Sequence, residues 1–262
     1  MTLKPAIIRI AVASSVLLLI IAFVLDVFRL FGVSPSPIVW VIKYSVSVLT
    51  GLIVFFAGAR AINTHDHSLL VGAFIVTLIA DFILVILQRL VPVSLRSIII
   101  PAGICCFMIV QVILILRHSQ SLHFSIKNIP GRLPFFTLRN MIVGVCIAFP
   151  VIGALLWIMP DLLRVGLVVP VLVYGMLIMF SAWVAVCARW VPFTSPVNGI
   201  LIAVGMLCFL VCDMLVGINT VKPSVAIDMC IYPFYGPALI LLALSGYHPA
   251  FLKEFFNLHS TT

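Results

Sequence analysis

Three charged side chains stand inside long apolar runs of the sequence, where a charge is costly. Asp81 lies within Phe74–Leu84, Asp213 lies within Cys208–Leu215, and Lys43 lies near the start of another run. A charge at the centre of a membrane helix costs about 2.5–3.5 kcal/mol on insertion scales, so each of these residues marks a candidate functional site. The two acids suggest paired acid–base chemistry, in which one carboxyl donates a proton and an ionised carboxylate assists.

Further polar side chains in the apolar runs could line one cavity with the acids. They are Gln111, Tyr174, Asn219, and Tyr235 with Tyr232 one helical turn before it. Each of them alone also fits a hydrogen bond between helices or an interfacial anchor. Together with Lys43, the set predicts a polar pocket inside the protein.

The charged residues also admit a purely structural interpretation. Lys43 could form a buried ion pair with one of the two aspartates and only fix the packing. One lysine neutralises one acid, however, and a carboxyl without a partner in apolar surroundings tends to be protonated. Two buried acids in different environments therefore suggest hydrolysis, although the same pair would serve a proton-coupled transporter.

The composition determines which elements carry these residues. The chain has 262 residues, of which 64% are hydrophobic and 8% are charged, whereas a soluble domain is about 45–50% apolar and about 25% charged. So few charges cannot cover a water-soluble globule, which excludes a soluble enzyme, a disordered chain and a disulfide scaffold. The net charge of +8 is attributed to loops facing lipid headgroups, not to nucleic-acid binding.

Eight apolar runs are each about as long as a helix that crosses a bilayer. They are continuous, unlike the short alternating segments of a β-barrel, and backbone polar groups in lipid must be satisfied within each segment. We therefore predict an all-α polytopic membrane protein, an eight-transmembrane-helix bundle forming a single membrane domain over residues 1–262. The predicted spans are Ala6–Leu25, Ile38–Ala57, Leu69–Leu87, Ile98–Leu116, Met141–Met159, Val165–Val186, Gly199–Ile218 and Ala226–Ala243. The first is interpreted as a retained span, because no small-residue cleavage site follows it.

An even number of spans places both termini on one side of the membrane. Lys and Arg are more numerous on that side, chiefly because the stretch Arg117–Arg139 carries Arg117, Lys127, Arg132 and Arg139 without any acid. The positive-inside bias therefore predicts that both termini are cytoplasmic. The expected location is a bacterial inner membrane, with the endoplasmic reticulum as the alternative.

The sequence indicates neither a metal site nor an organic cofactor. The cysteines form no CxxC pair, and no predicted span contains a histidine. Glycine-rich phosphate loops, GxSxG and HExxH are also absent from the sequence. The oligomeric state is left open.

In order and spacing, these residues resemble the YhhN/lysoplasmalogenase family of eight-span membrane proteins. That family has a lysine near the start of its second span, a Gly-Asp in the third, a Pro-Val-x-x-Tyr in the sixth, a Ser-Asp followed by Leu and often Asn in the seventh, and Tyr-Tyr-x-Ala-Gln in the eighth. The corresponding residues here are Lys43, Ala80-Asp81, Pro170-Val171-Leu172-Val173-Tyr174, Cys212-Asp213 with Leu215 and Asn219, and Phe234-Tyr235-Gly236-Pro237-Ala238.

The chain departs from the family pattern at several positions. Ala80 replaces a glycine, Cys212 replaces a serine, and Ala238 replaces a glutamine. Gln111 stands where the family has a histidine in the fourth span, and the tyrosine that follows it in the family is missing.

The resemblance implies hydrolysis of the vinyl ether bond of a lysoplasmalogen, a single-chain lysophospholipid, to a fatty aldehyde and a glycerophospho-headgroup. It implies acid and base roles for Asp81 and Asp213, without an order, by the division of labour known from glycosidases. It also implies that the substrate is bound by Lys43, Gln111, Tyr174, Tyr235 and Asn219, and that the reaction needs no cofactor. The alternatives are a proton-coupled transporter of small molecules or lipids and a catalytically silent lysolipid-binding protein.

Overall fold

The computed structural model describes residues 5–32, 37–128, 137–190 and 195–256. Eight of the helices in these residues are long and apolar enough to cross a membrane, which confirms the predicted all-α, eight-span bundle. In chain order the helices are α1 Pro5–Val27, α2 Pro37–Phe55, α3 Thr64–Asp81, α4 Val93–Asn128, α5 Leu138–Val165, α6 Val168–Ala188, α7 Pro196–Val221, α8 Val225–Leu244 and the short α9 Pro249–Phe255.

Neighbouring helices close a ring in the order α1, α2, α3, α4, α6, α7, α8 and back to α1. Helix α5 packs against α6 and α7. Large apolar side chains such as Leu138 and Phe149 are exposed on the outer surface of the bundle. A surface of this kind is typical of helices that face lipid.

Helix α4 is longer than the predicted fourth span, which ended at Leu116. Arg117 and His118 lie within α4 and are buried, so the prediction of spans without histidine is wrong. Arg117 stays inside the helix because it is paired: its Nε and Nη2 donate to the carboxylate of Asp66 at 2.9 and 3.1 Å. Arg117 is therefore not part of a basic loop, while residues 129–136, including Arg132, lie outside the described residues.

Helix α5 also extends beyond its predicted end at Met159. It continues through Pro160 to Val165 and ends at Gly166. The φ angle of Gly166 is +71°, a left-handed conformation that terminates helices and favours glycine. Val165, predicted as the start of the sixth span, therefore belongs to α5, and α6 begins at Val168.

Helix α3 changes geometry directly after Asp81. Residues Phe82–Leu87 form a π-helical segment, and Gln88–Leu90 return to α-helix; single π-helical turns are frequent at functional sites. Gly103 on α4 packs against this segment, where an added Cβ would lie 2.4 Å from the Cγ of Leu84. The glycine therefore permits the close approach of α3 and α4 beside Asp81.

Candidate functional site

A cavity of about 610 Å³ lies inside the bundle, with walls from α2 to α8. Its volume is in the range of about 300–1,000 Å³ typical of ligand sites. One wall is apolar: it consists of the lining side chains of α5 and most of those of α4 and α6, and includes Ile104, Leu155 and Ile178. The other part is polar and contains both Asp81 and Asp213, so the cavity is amphipathic.

Asp81 is buried and accepts hydrogen bonds from two other helices. The Ser47 hydroxyl on α2 donates to Oδ2 at 2.5 Å, and the Tyr235 hydroxyl on α8 donates to Oδ1 and Oδ2 at 2.7 and 2.6 Å. Two donors on one carboxylate stabilise its ionised form. Ser47 was not predicted from the sequence, although it follows Lys43 by four residues and so shares a helix face with it.

Asp213 has a different environment from Asp81. The Tyr174 hydroxyl on α6 donates a hydrogen bond to its Oδ2, and Oδ1 has no hydrogen-bond partner among the described residues. Neither aspartate is ion-paired in the part of the chain that the structure describes. The two carboxyls therefore share one cavity but differ in the number of hydrogen bonds that they accept.

Lys43 pairs with an acid that the sequence analysis did not consider. Its Nζ lies 2.6 Å from Oδ2 of Asp26 at the end of α1 and 4.4 Å from the centroid of the Tyr232 ring. The interpretation of Lys43 as the partner of Asp81 or Asp213 is therefore wrong. Asp26 also accepts a hydrogen bond from Arg29 at 3.2 Å. Asp26 directly follows the predicted first span, which ends at Leu25, so hydropathy alone does not indicate that it is buried.

The two predicted amides occupy different places. Asn219 lines the cavity, where its Nδ2 donates to Asp228 at 3.3 Å and its Oδ1 accepts from the backbone N–H of Ser224 at 2.9 Å, fixing the turn between α7 and α8. Gln111 is fully buried beside the phenol of Tyr174, outside the cavity lining. Its two amide atoms have no hydrogen-bond partner that meets distance and angle criteria among the described residues.

Two arginines that the sequence analysis did not select also line the cavity. Arg89 stacks its guanidinium 4.5 Å from the ring centroid of Trp40, and Arg96 lies in the first turn of α4. The signal was available in the sequence, because both flank the short connection between two apolar runs. No group of three His, Cys, Asp or Glu side chains in the described residues is placed to hold a metal ion.

The model of the YhhN family matches residues 38–246 of the chain. The matched segment runs from α2 past the end of α8 and so includes Lys43, Asp81, Tyr174, Asp213 and Tyr235. No curated protein and no solved structure matches the chain.

Proposed function

The chain belongs to the YhhN family, and we propose that it hydrolyses the vinyl ether bond of a lysoplasmalogen by paired aspartate catalysis. The observation that carries the proposal is the shared cavity of Asp81 and Asp213, in which each carboxyl accepts a hydrogen bond from a tyrosine hydroxyl. An amphipathic cavity suits a single-chain lipid, because the apolar wall can hold the chain while the polar part holds glycerol.

The hydrogen bonds suggest which acid donates the proton. Asp81 accepts from Ser47 and Tyr235 and is the better stabilised carboxylate. Asp213 accepts only from Tyr174, and a second negative charge in the same cavity is unfavourable. Asp213 is therefore the proton donor, with Oδ1 available to carry the proton, and Asp81 is the carboxylate that stabilises positive charge and activates water.

The reaction then proceeds in three balanced steps. Asp213 protonates the vinyl carbon remote from the ether oxygen, which converts the vinyl ether into an oxocarbenium ion. Water adds to the cationic carbon and gives its proton to Asp81, forming a hemiacetal. The carbon–oxygen bond to glycerol breaks as Asp81 protonates the leaving oxygen and the hemiacetal hydroxyl returns a proton to Asp213. Water is consumed, and the products are an aldehyde and a glycerophospho-headgroup.

The proposal is tested by incubating the purified protein with an alkenyl lysophosphocholine and measuring the release of aldehyde. An alkyl lysophosphocholine of the same chain length should be stable, because it has no double bond to protonate. Asp81→Asn and Asp213→Asn should each lower turnover by at least about 10²-fold, the lower end of what acid–base catalysis contributes.

A matched control for the aspartate variants is Asp161→Asn. Asp161 pairs with Arg164 and Lys222 outside the cavity lining, so its replacement should leave turnover unchanged. Thermal unfolding should show that Asp81→Asn and Asp213→Asn fold normally, since neither breaks an ion pair. Normal turnover by both catalytic variants would exclude the two-carboxylate mechanism.

A further inference from the structure

The polar end of the cavity holds more positive than negative charge. Three cationic side chains line it, Lys43, Arg89 and Arg96, and the acid nearest to the helix ends in its lining is Asp228. Asp228 already has partners, because its Oδ2 forms an ion pair with Arg29 and its Oδ1 accepts a hydrogen bond from Asn219. Lys43 also has a partner, because its ammonium forms an ion pair with Asp26.

The two remaining cations, Arg89 and Arg96, form no ion pair with an acid among the described residues, although Asp228 and Asp26 attract Arg89 at longer range. All the ion pairs of the described residues engage other cations. The Nε of Arg96 is buried without a hydrogen-bond partner, and an unsatisfied buried donor is costly. The Trp40 ring occupies a face of the Arg89 guanidinium and leaves its N–H edge for a ligand.

Both arginines lie at the ends of the membrane-crossing segments. Arg89 is next to the last residue of the segment Thr64–Leu90, and Arg96 is near the start of Ser94–Gln120. This is the depth at which the phosphates of bilayer lipids lie, and the N-terminus of α4 adds a favourable field for an anion. Planar guanidinium groups bind phosphate oxygens in pairs.

We infer that Arg89 and Arg96 form a subsite for the phosphate of a lysophospholipid whose chain extends into the cavity. Arg89 follows Asp81 by eight residues, which is at most about 12 Å along the helix axis at the α-helical rise, and less here because Phe82–Leu87 are π-helical. An arginine side chain and a glycerol backbone together span that separation, so a phosphate held at the arginines leaves the ether bond near the carboxyls. Asp228, the one acid that lines this end of the cavity in the described residues, is already paired. No unpaired carboxylate of the lining therefore contacts the amine of the headgroup, and choline and ethanolamine headgroups bind alike.

The inference rests on the proposed function for its substrate but is tested by binding without catalysis. The probes are an alkyl lysophosphocholine, which the enzyme cannot cleave, and the alkylglycerol with the same chain but no phosphate. Wild-type protein should bind the phosphate-bearing probe at least about tenfold more tightly, since hydrogen bonds to charged groups are the strong ones. Alkyl lysophosphoethanolamine should bind as tightly as the choline compound.

Arg89→Gln and Arg96→Gln should each weaken binding of alkyl lysophosphocholine about tenfold and leave alkylglycerol binding unchanged. Arg89→Lys should retain part of the affinity, because it keeps the charge and loses the paired donors. The matched control is Arg164→Gln, a largely exposed arginine at the same end of the bundle and outside the cavity lining. Thermal unfolding verifies that each variant folds.

Equal affinity of wild-type protein for the two probes would overturn the subsite, as would arginine variants that bind both probes as wild type does. Inorganic phosphate that binds alone as tightly as the lysolipid would assign the subsite to free phosphate and overturn the lipid assignment. A protein that shows the arginine-dependent preference but releases no aldehyde would retain the subsite and lose the hydrolase. One that releases aldehyde without the preference would retain the hydrolase and lose the subsite.

Discussion

The hydroxyl of Tyr235 on α8 donates a hydrogen bond to both carboxylate oxygens of Asp81 on α3, at 2.7 and 2.6 Å. Helix α2 is a neighbour of both helices and supplies the second donor, Ser47, at 2.5 Å. Asp81 is therefore fixed by side chains from two other helices. Such positioning is what acid–base catalysis requires, because the catalytic group must be held in reach of its substrate.

Tyr235→Phe should lower turnover by about tenfold to a hundredfold while the protein remains folded. The substitution removes one of the two donors that stabilise the Asp81 carboxylate, and a hydrogen bond to a charged group contributes about 1.5–3 kcal/mol. Aldehyde release is the measurement. Tyr44→Phe is the control, because the Tyr44 ring packs edge-on against Phe82 and lies outside the cavity lining. Equal losses in the two variants would contradict a specific role for Tyr235.

Asp26→Asn should destabilise the protein far more than it affects any chemical step. The substitution leaves the buried ammonium of Lys43 without its acid, and breaking a buried ion pair from one side costs about 3–5 kcal/mol. Thermal unfolding in detergent should show a large fall in midpoint. Lys43→Met should cost less, because Asp26 keeps its hydrogen bond from Arg29.

The double variant Asp26→Asn/Lys43→Met supplies the check on the Asp26 prediction. When both charges are removed, the free-energy cost of burying them is removed as well. Most of the stability that is lost in Asp26→Asn should therefore return in the double variant. A double variant no more stable than Asp26→Asn would show that the ion pair is not the cause.

Gly217→Leu should reduce turnover at least about tenfold by filling the cavity without disturbing the fold. Gly217 lines the cavity, and a Cβ added there meets no atom within 4 Å. Gly72→Leu is the matched control, because Gly72 is equally open and lies outside the cavity lining. Both substitutions favour the helical conformation, since leucine has a higher helix propensity than glycine. If the two variants had the same turnover, the substrate would not occupy this cavity.

Much of the site was predictable from the sequence because a charged residue inside an apolar run disagrees with the hydropathy of its neighbours. That contradiction identified Asp81 and Asp213, and the eight apolar runs identified the helices. The pairing of Lys43 with Asp26 was not predictable, because it depends on which helix ends meet. Likewise, hydropathy ends a span at Arg117, whereas its pairing with Asp66 lets the helix continue. Cavity-lining and core-packing leucines also look the same in sequence, so the apolar wall could not be foreseen.

A reporter fused after Thr262 should behave as a cytoplasmic domain. Cationic side chains at the end of the bundle that carries the termini include Arg60, Arg139, Arg189 and Lys253, and positive loops are retained in the cytoplasm. A reporter inserted after Gly166 should behave in the opposite way, because it follows α5 at the other end. A fusion after Thr262 that is active only outside the cytoplasm would reverse the orientation and place the phosphate subsite on the cytoplasmic side.

Hydrolysis in deuterium oxide measures most directly the proton donation from Asp213 to the vinyl carbon. The aldehyde, reduced to the alcohol as it forms so that no later exchange occurs, should carry one deuterium on the carbon next to the former carbonyl. The rate of label incorporation should fall with turnover in Asp213→Asn, because that residue supplies the proton. Aldehyde released by the wild-type enzyme without deuterium at this carbon would contradict vinyl ether protonation and with it the roles assigned to both aspartates.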